Sequence, residues 1–148
     1  MKPSIYLSGA IEKSKDPFNW RNEVKESLLQ YYDVIIPDKI KVPKKCSFLY
    51  KQKVINNIVI RDINNLIRCE HFLVKIDSAV LKGAGTLSEI TFAAIYNKPI
   101  VCYFDDITIQ DVPGWIQGCL YDATILNGVK DAIKYFKCYR QLYGKHKD

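Results

Sequence analysis

Metal-binding and disulfide chemistry is thin in this 148-residue chain. It has two histidines, His71 and His146, and five dispersed cysteines (Cys46, Cys69, Cys102, Cys119 and Cys138) without a C-x-x-C pair. An odd, scattered cysteine count argues against a disulfide framework and fits a reducing, intracellular compartment. The same scatter assembles no zinc-ligand spacing, so no metal or other cofactor is expected. No apolar run approaches the roughly 18–20 residues of a membrane span. Met1-Lys2-Pro3-Ser4-Ile5-Tyr6 leads directly into a short apolar strand, without the longer apolar stretch of a signal peptide. A cytoplasmic protein with no membrane partner is the expectation.

Several catalytic and phosphate-binding signatures are also missing. No G-K-[ST] occurs, which excludes a P-loop, and Gly83-Ala84-Gly85 lacks the third glycine of a dinucleotide fingerprint. Ser8 has neither a G-x-S-x-G setting nor a histidine partner in view, which argues against a serine hydrolase. There is no internal repeat and no low-complexity segment.

What remains is the mix of one compact domain, 1–148, with 48% hydrophobic and 26% charged residues. A chain of this length buries roughly 68–70% of its unfolded surface, enough for a core of its own. The net charge is +6, and Lys39, Lys41, Lys44, Lys45, Lys51 and Lys53 cluster in one polar stretch. That stretch reads as a solvated loop or as an attractor of anions. Direct nucleic-acid binding is disfavoured, because the charge is modest and the aromatics fall in predicted strands and helices instead of an exposed stacking platform.

Hydrophobic periodicity orders the elements. Ile5-Tyr6-Leu7-Ser8-Gly9 predicts a strand, and Asp16-Pro17 predicts the start of a helix running to about residue 32. A short strand at 34–37 leads into the lysine-rich loop 38–51, which looks like an insertion or lid. A helix is expected over 52–68, a strand over 72–76, a loop over 77–85 and a helix from Thr86 to Tyr96. A strand over 99–104, a short segment at 115–120, a strand at 123–126, a helix at 129–142 and a charged tail at 144–148 complete the chain. Strands alternating with helices predict an α/β fold, a doubly wound parallel sheet of about five strands with helices on both faces. Ligands of such sheets bind beyond the carboxyl ends of the strands, where the strand order reverses. The loops 9–16, 77–85 and 105–114 are therefore the candidate surface.

Two carboxylates stand out. Asp62 falls inside the apolar stripe of its helix, one turn from Ile58 and Leu66. An acid there is buried with a partner or faces a cleft. Thr86-Leu87-Ser88-Glu89 fits a capping box, in which Glu89 would merely close the helix start. The same position puts Glu89 on the first turn of a helix at the ligand end of the sheet, where the dipole favours an ionised nucleophile. Gly83 and Gly85 would let a ligand approach the backbone. Tyr6 and Trp115 could stack on a base or simply pack.

Together, Ile5-Tyr6-Leu7-Ser8-Gly9-Ala10, the helix bearing Asp62, Gly85-Thr86-Leu87-Ser88-Glu89-Ile90-Thr91-Phe92-Ala93-Ala94 and Lys98-Pro99-Ile100-Val101 resemble the nucleoside 2-deoxyribosyltransferase family, which includes related nucleoside 5′-monophosphate N-glycosidases. The similar spacing covers about residues 4–136. The resemblance implies a flavodoxin-like (Rossmann-like) sheet and cleavage of an N-glycosidic bond. It implies Glu89 as the nucleophile at C1′, Tyr6 as the group orienting it, and Asp62 at the sugar or handing a proton to the departing base. Substrate contacts are expected from Ser8, Gly9, Asp77 and Gly83, and from Gly85, Thr86, Trp115 and Asp122. The segment 115–122 would complete a neighbouring subunit's site in a homo-oligomer.

Two positions depart from the family pattern. Gly83 stands where many transferases carry an acid that reads the base, so Asp77, Ser78 or Asp105-Asp106 would take that task. Ala10 and Gly83 replace serines that hold the phosphate in the monophosphate enzymes. Ser8, Lys13, Ser14, Lys15 or the lysine-rich loop would have to bind a phosphate instead. The leading expectation is cleavage or exchange of the base of a 2′-deoxynucleoside through a covalent Glu89 intermediate. Hydrolysis of a nucleoside 5′-monophosphate, and a catalytically silent nucleotide-binding protein, are the alternatives.

Overall fold

The computed structural model describes residues 1–39 and 41–144; of the expected charged tail, 145–148 lie outside the described residues. Five strands form one sheet: β1 (Ser4–Ser8), β2 (Asp33–Ile35), β3 (His71–Asp77), β4 (Ile100–Asp105) and β5 (Thr124–Leu126). Every pairing is parallel and the order is β2-β1-β3-β4-β5. This is the flavodoxin-like doubly wound order, in which the chain turns back between β1 and β3. The helices are α1 (Asn19–Leu28), α2 (Phe48–Arg68), α3 (Gly85–Ile95), α4 (Gly114–Cys119) and α5 (Val129–Tyr143).

The period-two alternation of β1 divides the core. Ile5 and Leu7 point to one face, where they join Leu73, Val101 and Tyr103 beneath Trp20, Val24 and Leu28 of α1 and Ala132 and Phe136 of α5. Tyr6 points to the other, with Phe72, Val74 and Ile76, under Leu66 of α2, Ile90 and Ala93 of α3 and Ile116 of α4. Each large apolar side chain so buried contributes roughly 1.5–3 kcal/mol. Helices therefore cover both faces, and the loops after β1 and β3 diverge at the carboxyl edge of the sheet.

Three local expectations are corrected. The first helix is shorter than 17–32: Asp16 still accepts the Asn19 N–H at 3.2 Å, but the helix ends at Leu28. The lysine-rich loop stops sooner than 51, because Ser47 caps α2 by accepting the Tyr50 N–H at 3.2 Å and Phe48 to Lys51 are helical. The capping box at Thr86–Glu89 does not form. Helix α3 starts at Gly85 with no side-chain cap, and the Glu89 carboxylate is engaged across the sheet edge instead.

Candidate active site

The site grows from two adjacent inward positions of β1. Tyr6 and Ser8 are two residues apart and share a face of the strand. Both are fully buried. Glu89, one turn into α3, lies across the β1–β3 crevice from them. The Tyr6 hydroxyl donates to Glu89 Oε1 at 3.0 Å, and the Ser8 hydroxyl donates to Oε2. Both carboxylate oxygens are thereby held, and the rotamer is fixed by charge-assisted hydrogen bonds.

Burial, with nearby Asp62 adding to it, pushes the Glu89 carboxyl up to about 7. The Ser8 and Tyr6 hydrogen bonds and the Arg21 charge oppose that rise. Burial, with Glu89 and Asp62 close by, drives the Tyr6 hydroxyl well above its ordinary value, so it remains a donor at any working pH.

Asp62 is mostly buried on α2. Burial raises its carboxyl and the adjacent Arg61 guanidinium holds it back. Arg61 Nε and Nη2 both donate to Asp62 Oδ1, at 3.0 and 2.9 Å, while Nη1 reaches Asp38 Oδ2 at 3.0 Å. Asp62 Oδ2 takes neither Arg61 bond, which leaves that oxygen for a ligand.

Between these groups lies a cavity of about 560 Å³, within the range of about 300–1,000 Å³ usual for small-molecule sites. Glu89 and Asp62 line it together. Gly9, Ala10 and Lys13 of the first loop, Ile58 and Val59 of α2, and Gly83, Gly85, Thr86 and Phe92 around α3 form its walls. A Cβ built on Gly83 or Gly85 meets no atom within 4 Å, so these glycines leave open space beside the cavity. Gly9 is different. A Cβ there meets Trp20 Cζ2 at 3.1 Å and Arg21 Nη2 at 3.3 Å, so a larger residue would have to push these side chains aside.

Arg21 is a buried charge beside the site that motif reading missed. Its side chain is fully buried, and it donates to the Gly9 carbonyl at 2.7 Å, to the Pro17 carbonyl and, at 3.5 Å, to the Leu7 carbonyl. Desolvation lowers its guanidinium to about 10, which leaves it charged at neutral pH. It thus ties the loop after β1 to α1 and directs a positive charge toward Glu89. The available signal was its position three residues before Val24 and seven before Leu28, on the apolar face of α1. Arg61, which directly precedes Asp62, carried no comparable pattern.

Other expected contacts are placed elsewhere. Ser8 is fully buried, and its hydroxyl is engaged by the Glu89 carboxylate. Asp77 accepts the Val80 N–H at 3.1 Å and pairs with Lys75 at 3.6 Å, closing the turn after β3 outside the cavity. Asp105 pairs with Lys75 at 3.0 Å, and Asp106 accepts both the Ser78 N–H and hydroxyl. This network holds two loops together and does not line the cavity. Trp115 is exposed on α4 and donates to the Thr91 hydroxyl at 3.2 Å. Asp122 is exposed in the following turn. Neither reaches the cavity of its own chain. Among the described residues, no group of three or more His, Cys, Asp or Glu side chains could hold a metal ion.

No family model and no curated protein matches the sequence. Solved structures do match. A 2-deoxyribosyltransferase from Bacillus psychrosaccharolyticus superimposes with a TM-score of 0.62 at 14% identity, over 88% of this chain and 90% of that one. This chain shares the 2-deoxyribosyltransferase fold. The CMP N-glycosidase of Clostridium botulinum matches with a TM-score of 0.57 at 13% identity, over 90% of this chain and 98% of that one. A conserved protein from Enterococcus faecalis V583 matches with a TM-score of 0.69 at 16% identity, over 94% and 99%. These matches support the resemblance to nucleoside 2-deoxyribosyltransferases, and at such identities the 2-deoxyribosyltransferase fold is what they establish. Among the described residues, no helix is long and apolar enough to cross a membrane.

Proposed function

We propose that the protein cleaves or exchanges the N-glycosidic bond of 2′-deoxynucleosides, with Glu89 as the nucleophile. The observation that carries this reading is the Glu89 carboxylate, gripped through both oxygens by Tyr6 and Ser8 in a cavity it shares with Asp62. Neighbours of the same fold that act on N-glycosidic bonds support it.

As the bond from C1′ to the base nitrogen breaks, its electron pair leaves with the base and positive charge develops on the sugar. Ionised Glu89 stabilises that charge and closes on C1′ to form a glycosyl ester. Asp62 meets a sugar hydroxyl through Oδ2 or hands a proton to the departing base, as the second carboxyl group does in retaining glycoside hydrolysis. Water ending the intermediate makes the protein a hydrolase, and a second base makes it a transferase. Trp115 and Asp122, exposed in the single chain, would complete the site of a neighbouring copy.

The test is incubation with the deoxynucleosides and their 5′-monophosphates, with and without an acceptor base, following free base and new nucleoside by chromatography. Glu89→Ala should lower turnover by on the order of 10³-fold or more, as loss of a nucleophile does. Full turnover by that variant would sink the proposal.

A second reading, hydrolysis of a nucleoside 5′-monophosphate, is favoured by Lys13 in the cavity wall. It predicts that removing the phosphate from the substrate sharply raises KM. An unchanged KM would exclude it.

A further inference from the structure

The net positive charge of the molecule lies in one segment. Residues 39–61 contain six lysines and Arg61 and no aspartate or glutamate, a net +7 against +6 for the whole chain. The remainder of the protein is therefore slightly acidic. Arg61 is committed to Asp38 and Asp62. Lys39, Lys41, Lys44, Lys45, Lys51 and Lys53 are all exposed, and none is in a salt bridge among the described residues.

Large apolar side chains stand exposed among these lysines. Phe48, Leu49 and Tyr50 are 71%, 75% and 52% exposed at the start of α2. Their exposure was not legible in the sequence pattern, because they lie in the helical part of a stretch that reads as loop. Cations to follow a phosphodiester backbone and aromatic faces to receive bases are the two parts of a single-stranded nucleic-acid site.

We propose that the surface formed by the lysine-rich segment and the first turn of α2 binds single-stranded nucleic acid, with Phe48 and Tyr50 as stacking residues. Geometry favours this occupant over an anionic membrane. Consecutive helical residues are about 100° apart, so Phe48 and Tyr50 lie on opposite sides of the helix end and would each receive a separate base, whereas an interfacial helix needs one broad apolar face. Further along α2, Ile58, Val59 and Ile63 line the cavity, and of the helix's remaining apolar side chains only Ile60 is as exposed as Tyr50. Binding is read without turnover, so the inference stands or falls independently of the Glu89 chemistry.

Fluorescence anisotropy with a labelled oligothymidylate, titrated with the full chain at several salt concentrations, tests it. Affinity should fall with salt, with a log–log slope of about −0.7 for each phosphate neutralised. Replacing Lys44 and Lys45 together by Gln should flatten that slope by roughly 1.4. Phe48→Ala with Tyr50→Ala should weaken binding by roughly 30-fold or more with the slope unchanged. All four positions are exposed, and an unchanged Tm shows that the variants fold. Absence of binding at about 50 mM salt, where such contacts are strong, would overturn the proposal. Binding indifferent to the aromatic double variant would also overturn it. So would retention on phosphatidylserine vesicles without binding of the oligonucleotide, which would assign the surface to membranes.

Discussion

The role proposed for Glu89 makes two demands at once, a largely desolvated carboxyl and an ionised one. Its carboxyl is raised from the ordinary 4.5 to about 7, mainly by burial. The folded chain therefore holds a proton that the unfolded chain has released over that interval. Its contribution to stability is fully present below about 4.5 and is lost as the pH rises through about 7. Glu89→Gln, which cannot ionise, should gain Tm relative to the wild type as the pH is raised from 5 to 8. Calorimetry across that range checks it, and a pH-independent difference would contradict it. Activity should run the opposite way, rising as Glu89 ionises near pH 7. The Arg21 charge adds a smaller pull toward the ionised form. Arg21→Met leaves the Gly9 and Pro17 carbonyls without their donor and should destabilise by about 1–3 kcal/mol. It also removes a charge that favours ionised Glu89, so the acidic limb of the kcat/KM profile should move to higher pH. A loss of stability with an unmoved limb would reduce Arg21 to a structural residue.

The elements around the site differ in how much they tolerate, and the glycines show it. A Cβ at Gly9 would push against Trp20 and Arg21. Gly9→Ala should therefore cost about 1–3 kcal/mol, the usual penalty for overpacking. Gly83→Ala and Gly85→Ala add a methyl group to open space and should leave Tm unchanged, while raising KM if substrate uses that space. Thermal melts paired with kinetics separate the two cases. The strands and most helices were legible because β1, β3 and β4 are short apolar runs and α2 and α5 carry clean stripes. The start of α2 was not, because its cap Ser47 is followed by Phe48-Leu49-Tyr50, which face solvent instead of extending the buried stripe. The capping box at Thr86 misled for another reason. Two hydroxyls from β1 capture the Glu89 carboxylate, and a hydrogen bond across the sheet edge has no local sequence signature.

At the scale of the molecule, the strand order β2-β1-β3-β4-β5 brings three distant residues together: Tyr6, Asp62 and Glu89. Their convergence could be anticipated from alternating strands and helices with ligands at the reversal of strand order. The fate of Asp77 and the Asp105-Asp106 pair could not, since Lys75 and Ser78, which bind them, are recognisable as partners only in three dimensions. Trp115 and Asp122 belong to this scale too. If they complete a neighbouring site, mixing Glu89→Ala with Asp122→Ala protomers should recover activity that neither variant has alone. No recovery from freely exchanging subunits would confine the site to one chain. The most direct test of the whole account is to quench the protein during turnover of a deoxynucleoside and map the adduct by peptide mass spectrometry. A deoxyribosyl group on the peptide containing Glu89, absent from Glu89→Gln, is the predicted result. Turnover without any adduct, undiminished in Glu89→Ala, would contradict it.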